Sequence, residues 1–473
     1  MRAARCQRRG RWGVLGAAAA TVLLAGCATK PPPTAAELQA ADPVLSAAGL
    51  DRTWRSPGAA PGAPVDNWLA TFEDPQLLAL VDEALARNPD LRVAGTRVEQ
   101  AAAYVDLARA QLKPWVRLLG TGGVNASGGD FSSALEGASL GVAWEPDLWG
   151  RLRYARNAAE EVRAASSADY TFARQSLAAT LARTWFTATE TWLQREAALT
   201  IVAASRQILV LTEQRERVGS ASQQDVAAAR IALGNYEDAA AQAELAHSQV
   251  LRALELLLGR YPAAEIAARR DLPALPGPVP AGLPLELLER RPDVVAAERR
   301  VAAAFNQVGE AKAARLPSFT LTANVAAIDS EVLQLREDFE NPTAGAGVRL
   351  NAPIYLGGAL NAQVKIRTLE QQAAVAGYAR QALQALGDVE NALDAADVLA
   401  RRRAALEQAQ AAADRALELA QASYRIGRSD DRAVQQQLII AQQTRLALLS
   451  IRSAQLAQRV NLHLALGGGF EPT

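Results

Sequence analysis

The chain has 473 residues, half of them hydrophobic, with 50 basic and 50 acidic side chains and therefore no formal net charge. That balance leaves no electrostatic footprint for nucleic acid, and the length alone points to about three ordinary domains of roughly 150 residues. Two cysteines and two histidines in the whole sequence exclude a zinc cluster and a disulfide framework.

At the N-terminus, Arg2, Arg5, Arg8, Arg9 and Arg11 precede an apolar stretch at 14–25 that is too short to make a good spanning helix. The stretch ends in Leu24-Ala25-Gly26-Cys27, which resembles the lipobox of bacterial lipoproteins. The resemblance implies a signal peptide over 1–26, whose removal takes Cys6 with it and leaves Cys27 as the lipidated first residue. One acyl chain binds a bilayer only marginally, at about 0.8 kcal/mol per buried CH₂, so firm anchoring needs several chains on Cys27. Ala28 in place of Asp favours, by likeness to enteric lipoproteins, the outer membrane over the inner one. Apart from this covalent lipid, no cofactor and no metal are expected.

Beyond that point the second half re-uses the layout of the first. Residues 85–90 (Leu-Ala-Arg-Asn-Pro-Asp) return as 288–293 (Leu-Glu-Arg-Arg-Pro-Asp), and Arg97/Arg300, Val98/Val301 and Pro114/Pro317 keep the same offset of 203. Pro146/Pro353 and Gly150/Gly357 follow at 207, then Val218-Gly219 with Ile426-Gly427 and Leu258-Gly259 with Leu466-Gly467 at 208. So small a drift is not chance matching of common residues, and the unit is far longer than a solenoid repeat. The resulting plan is a linker segment at 27–74, a first repeat at 75–260, a Pro-rich linker at 261–284, a second repeat at 285–467 and a tail at 468–473.

Within each repeat, prolines mark what is helical. Two runs, 147–261 and 354–471, contain none, and both are rich in Ala, Leu, Gln, Glu and Arg. Proline costs about 3 kcal/mol inside a helix, so these runs read as long helices at 151–217 and 358–425, each spanning about 100 Å at 1.5 Å per residue. Each run is broken once, at Gly219 and at Gly427, which mark left-handed turns at helix ends. Shorter helices are expected at 75–113, 223–258, 285–314 and 431–466. Near-heptad spacing in places, as in Leu386/Leu393 and Leu399/Leu406, favours coiled-coil contacts.

Four segments between the helices alternate with a period of two. Val116 and Leu118 flank Arg117; Leu140, Val142 and Trp144 alternate with Gly141 and Ala143; Phe319, Leu321, Ala323 and Val325 alternate with Thr320, Thr322 and Asn324. Val348, Leu350, Ala352 and Ile354 alternate with Arg349, Asn351 and Pro353, and aromatics (Trp115, Trp144, Trp149, Tyr355) sit near the ends. A half-buried soluble hairpin shows the same alternation, but four strands in phase across a duplication, on an exported lipoprotein, favour a membrane barrel. Its lipid-facing set is Val116, Leu118, Leu140, Val142, Phe319, Leu321, Val325, Val348 and Leu350. Four strands cannot close a barrel, because open edges leave backbone groups unsatisfied in lipid; three protomers pooling their strands reach twelve.

The stretches Phe72-Glu-Asp-Pro-Gln-Leu77, Trp144-Glu-Pro-Asp-Leu-Trp-Gly-Arg-Leu-Arg153, Pro280-Ala-Gly-Leu-Pro284, Leu287-Leu-Glu-Arg-Arg-Pro-Asp293, Pro317-Ser-Phe-Thr-Leu-Thr-Ala323 and Ala465-Leu-Gly-Gly-Gly469 resemble the TolC/OprM-type outer-membrane efflux factors, in their NodT-like lipoprotein branch. The resemblance runs from the lipobox to the C-terminus. It implies a mainly α fold with a membrane β-barrel: an internally duplicated protomer, assembled as a trimer with a 12-strand barrel on a long periplasmic helical tunnel, with 28–74 and 262–284 as equatorial material. It also implies a function, passive export of small toxic solutes such as drugs, dyes or metals, as the outer-membrane channel of a tripartite system with a periplasmic adaptor and an inner-membrane transporter.

The likeness assigns roles at the tip. Val218, Gly219, Ser222, Ile426 and Gly427 are expected at the adaptor contact, and Tyr424, Arg425, Arg428, Asp430, Asp431 and Asp225 at a periplasmic gate. The chain departs from the family where Ala433 and Gln436 replace a second-half Asp-x-x-Asp, so Asp430 and Asp431 either substitute or cap the following helix. No enzyme is expected: Gly137-Ala-Ser-Leu-Gly141 matches a nucleophile elbow literally but lacks the strand-turn-helix setting, and His247 and His463 look unrecruited. The alternative function is an outer-membrane lipoprotein scaffold whose coiled coils bridge periplasmic partners without conducting.

Overall fold

The computed structural model describes residues 29–47, 53–57, 62, 66–122, 124–127, 130–133, 136–329 and 342–470. Cys27 and the expected signal peptide lie outside them. In chain order the elements are α1 (Ala35–Ala41), α2 (Pro43–Ala47), a 3₁₀ turn (Trp68–Phe72), α3 (Pro75–Arg87), α4 (Pro89–Ala110), β1 (Trp115–Thr121), β2 (Val124–Ser127), β3 (Asp130–Ser133), β4 (Glu136–Trp144), α5 (Arg151–Arg217), α6 (Gln223–Leu257), α7 (Pro284–Arg290), α8 (Pro292–Ala313), β5 (Ser318–Asp329), β6 (Thr343–Asn351), α9 (Ala359–Arg425) and α10 (Asp431–Ala465). The duplication is written in their lengths: α5 and α9 have 67 residues each, α6 and α10 have 35, and α4 and α8 have 22.

Two expected helices are each two helices. The segment 75–113 breaks at Asn88 and 285–314 breaks at Arg291, where the backbone turns extended (ψ 125 and 116) because the proline that follows clashes with a helical residue before it. Each break is then used. The Asn88 side chain donates to the Leu257 carbonyl at 2.9 Å and accepts from Leu91 N at 3.0 Å, capping the end of α6 and the start of α4 together. At the equivalent place Arg291 Nη1 donates to the Ala465 carbonyl at the end of α10 (3.4 Å). Glycine completes the contact: a Cβ on Gly259 would lie 2.9 Å from the Arg87 carbonyl oxygen, and one on Gly467 would lie 3.1 Å from Arg291 Cα. The two most obvious repeated motifs are therefore the two sides of a single helix-end contact, made once per repeat.

The chain forms two compact units, and each draws on both repeats. Among the described residues, the first takes those of 97–167, 296–379 and the N-terminal stretch to 42; the second takes those of 43–96, 168–295 and 380–470. In the first unit, β1, β4, β5 and β6 make an antiparallel sheet in the order β1-β4-β5-β6, so the hairpins of the two repeats meet at β4 and β5. A separate β2–β3 hairpin was not anticipated, and β6 stops at Asn351 rather than running to Ile354, because Pro353 cannot donate to a ladder.

The second unit has its main core around Trp68, Phe72, Leu77, Trp185, Phe186, Leu254 and Leu456. Asp74 ties that core together: buried, it caps α3 through Gln76 N and Leu77 N and accepts from Trp185 Nε1 at 2.9 Å, with Arg269 at 3.2 Å. Further along, α5 packs on α6 through Ala198, Val202 and Ala240, and on α10 through Ile201, Ala204 and Ile439. Small side chains at these contacts let the helix axes approach closely.

Candidate functional site: sheet faces, strand roots and helix turns

Register fixes which strand residues share a face. Val116 pairs with Val142, Leu118 with Leu140, Leu140 with Val325, Phe319 with Leu350 and Leu321 with Val348, so all nine residues expected to face lipid stand on one side of one sheet. Seven of them are exposed, Leu118 at 73% and Val348 at 68%, while Val142 and Phe319 are half-buried. Polar residues occupy the other side: Arg117 opposes Gly141, Thr322 opposes Gly347, and Thr320 opposes Arg349. The Gly137–Gly141 motif lies wholly within β4, with Ser139 paired to Leu119 and Ala326, so it makes no elbow between a strand and a helix. Strands β1 and β6 each have one side without a partner strand among the described residues.

The corner from β4 into α5 is built from the Trp144–Arg153 stretch. Asp147 accepts from Leu152 N, Arg153 N and Arg153 Nε at 2.9–3.1 Å, satisfying the first turn of α5. Glu145 holds Arg151 through both carboxylate oxygens (2.9 and 3.0 Å), and Trp149 Nε1 donates to the Pro317 carbonyl at 2.6 Å. Trp115, Trp149, Ile354 and Tyr355 are exposed around these strand roots.

At the other ends of the long helices the turns after α5 and α9 are the same motif. Gly219 (φ 75) and Gly427 (φ 71) are left-handed; Ser220 N bonds the Arg215 carbonyl and Arg428 N bonds the Ser423 carbonyl, each closing the last helical turn. Val218 and Ile426 stand exposed beside them. Ser222 then caps α6 in a reciprocal box with Asp225, while Asp430 caps α10 through Ala433 N at 3.2 Å. Asp430 does more than cap, since it pairs with Arg215 at 2.9 Å and with Arg432 at 3.5 Å. Asp431 accepts from Gln207 and Gln435. Hydrogen bonds from Ser222 hold the Asp225 carboxyl below its ordinary range, with Arg432 and Arg215 adding to the effect. Thus the two arginines that pair with Asp430 also favour the charged form of Asp225 at longer range. Tyr424 and Arg428 are exposed, and Arg425 bonds back to the Gln421 carbonyl.

Arg215 and Arg432 were not singled out from sequence; nothing in their local pattern distinguishes them from the other arginines of these helices. The histidines are held by packing and hydrogen bonding. His463 is buried with its ring stacked on Trp68 (centroids 5.6 Å apart), and His247 Nδ1 lies 3.0 Å from Thr191 Oγ1. Among the described residues no group of three His, Cys, Asp or Glu could hold a metal, and no helix is long and apolar enough to cross a membrane.

Comparison with known proteins bears on the same geometry. The family described as outer membrane efflux protein matches residues 80–260 and 283–468. The antibiotic efflux pump outer membrane protein ArpC of Pseudomonas putida is 31% identical over 435 residues, covering 86% of each chain. The pyoverdine export outer membrane protein OpmQ of the same species is 32% identical, over 95% of this chain and 96% of that one. Among solved structures, the open state of the MtrE outer membrane channel of Neisseria gonorrhoeae superposes with a TM-score of 0.76 at 26% identity, covering 94% of this chain and 98% of the other. The chain belongs to the outer membrane efflux protein family.

Proposed function

We propose that this protein is the outer-membrane channel of a tripartite efflux system, a passive and non-catalytic duct for small toxic solutes. The observation that carries this reading is the sheet: one continuous apolar, exposed face across strands from both repeats, and two edge strands without partners. Such a sheet is unstable alone in lipid. Because four successive strands alternate in direction, β6 of one copy meets β1 of the next in antiparallel sense, and copies join with no parallel seam. Three copies give a barrel of twelve strands in the outer membrane, with Val116, Leu118, Leu140, Val142, Phe319, Leu321, Val325, Val348 and Leu350 towards lipid and the paired long helices forming the periplasmic tunnel. Lipid on Cys27 adds an anchor at the same membrane.

At the tip, the turns bearing Val218, Gly219, Ser222, Ile426 and Gly427 receive the periplasmic adaptor. The pairing of Asp430 with Arg215 then holds α10 to α5 near the gate, where Asp225, Asp431, Tyr424, Arg425 and Arg428 gather. The inner-membrane transporter supplies the energy. In detergent the purified lipoprotein is expected to run as heat-sensitive trimers and to conduct ions in planar bilayers. A monomer that neither assembles nor conducts, while still binding periplasmic partners, would establish the scaffold reading instead.

A further inference from the structure

The polar face of the sheet carries charge of one sign. Its side chains are mostly small and neutral, including Ser139, Gly141, Thr322, Asn324, Gly345 and Gly347. Two long charged side chains stand among them, Arg117 on β1 and Arg349 on β6. Register sets Arg117 in the row of Gly141, Asn324 and Gly345, and sets Arg349 opposite Thr320.

Both arginines are exposed, and neither has an ion pair among the described residues. The Arg117 guanidinium lies instead 4.9 Å from the centroid of the Trp115 ring, on the same face. An aromatic partner steadies a cation without cancelling its charge, whereas a carboxylate would. The nearest carboxylate after β4, Glu145, is taken by Arg151.

We propose that Arg117 and Arg349 make the barrel lumen a cation-lined passage that favours anionic solutes, such as organic carboxylates and phosphates, over cations. The inference rests on the channel reading, because the polar face becomes a lumen only when copies close the sheet. Closure also concentrates the charge. Arg117 and Arg349 occupy the two edge strands, so every junction between copies carries one of each, and three copies bring six guanidinium groups to the wall. Small residues stand opposite them, Gly141 and Thr320, and these are the longest side chains on that face among the described residues. Solutes in a narrow lumen then pass within a Debye length, about 8–10 Å, of fixed positive charge, and rings of Arg or Lys are the usual device of anion pores.

Reversal potentials in a KCl gradient across planar bilayers test this, with the full lipoprotein reconstituted as wild type, as the Arg117→Gln/Arg349→Gln double variant, and as each single variant. The double variant is expected to lower the chloride-to-potassium permeability ratio about twofold or more, each single variant by part of that, and Arg117→Lys/Arg349→Lys to keep the wild-type ratio. Conducting glutamine variants with an unchanged ratio would overturn the proposal, and the single variants decide the question in the same way if the double one does not assemble. A wild type that never conducts refutes the channel reading and this inference with it, so the two failures are told apart.

Discussion

Replacing Arg291 with Ala tests whether the residue before the proline is the joint between helix ends. In the structure Arg291 is 4% exposed and reaches four groups: Asp293 through Nε (2.9 Å) and Nη2 (3.0 Å), Asp388 through Nη2 (2.7 Å), and the carbonyls of Ala385 and Ala465 through Nη1 (3.4 Å each). Burial opposes its charge, but Asp293 and Asp388 outweigh that and hold its pKa above the ordinary value. Removing one partner of a buried pair costs about 3–5 kcal/mol. Asp293 keeps Val294 N (3.0 Å) and Gln381 Nε2 (2.7 Å), which places the loss near the lower end of that range. Asn88, its counterpart in the first repeat, makes neutral bonds only, so Asn88→Ala costs about 1–2 kcal/mol. Heat inactivation in detergent at one fixed scan rate reads the difference, because such assemblies unfold irreversibly. At about 2–4 °C per kcal/mol, Arg291→Ala lowers the midpoint by roughly 6–12 °C and Asn88→Ala by about one to two thirds as much. The combined Arg291→Met/Asp293→Asn variant should recover part of the loss, since the buried carboxylate is neutralised along with its partner and the one left, Asp388, is 42% exposed. Equal shifts for the two alanine variants, or no recovery in the combined one, would refute the reasoning.

Burial and the charge of Arg459 push the His463 pKa down to about 4 from 6.5, so the folded state disfavours the protonated ring. The stabilisation from a neutral His463 is complete above pH 6.5 and is lost as pH falls towards 4, by about 3 kcal/mol in all. His463→Gln should therefore be less acid-sensitive than the wild type over that window; parallel stability curves would show the ring is not responsible. A Cβ on Gly219 meets nothing within 4 Å, whereas one on Gly259 meets the Arg87 carbonyl. Gly219→Ala should cost only the left-handed strain of about 1–2 kcal/mol, and Gly259→Ala clearly more, as read by the same heat assay. Leu118→Lys should weaken trimers by about 2–4 kcal/mol if it sits near the bilayer midplane, while Thr322→Lys on the opposite face is tolerated. Equal trimer loss on native gels would contradict the assignment of faces. Asp430→Ala with Asp431→Ala removes the Arg215 pair and the α10 cap, and is expected to raise single-channel conductance or relieve block by divalent cations; unchanged single-channel traces would remove these residues from the gate.

What the sequence determined by itself was local or periodic. Proline-free runs ended by one glycine located helices of 67 and 35 residues in each half, since proline and left-handed glycine act through sterics at their own positions. Alternation placed the nine apolar strand residues in one phase, because the pleat repeats every two residues whatever lies opposite. The tertiary structure alone decided which distant positions meet: β4 beside β5, Asn88 on the end of α6, Arg291 on the end of α10, and Arg215 on Asp430. It also showed that Pro89 and Pro292 break their helices where another helix ends, so the repeated Pro-Asp and Leu-Gly motifs are one contact. Pairings of this kind join groups 169 to 215 residues apart. No period or propensity in the chain records them, because their free energy comes from burial and from satisfying helix-end groups that only the folded protein brings together.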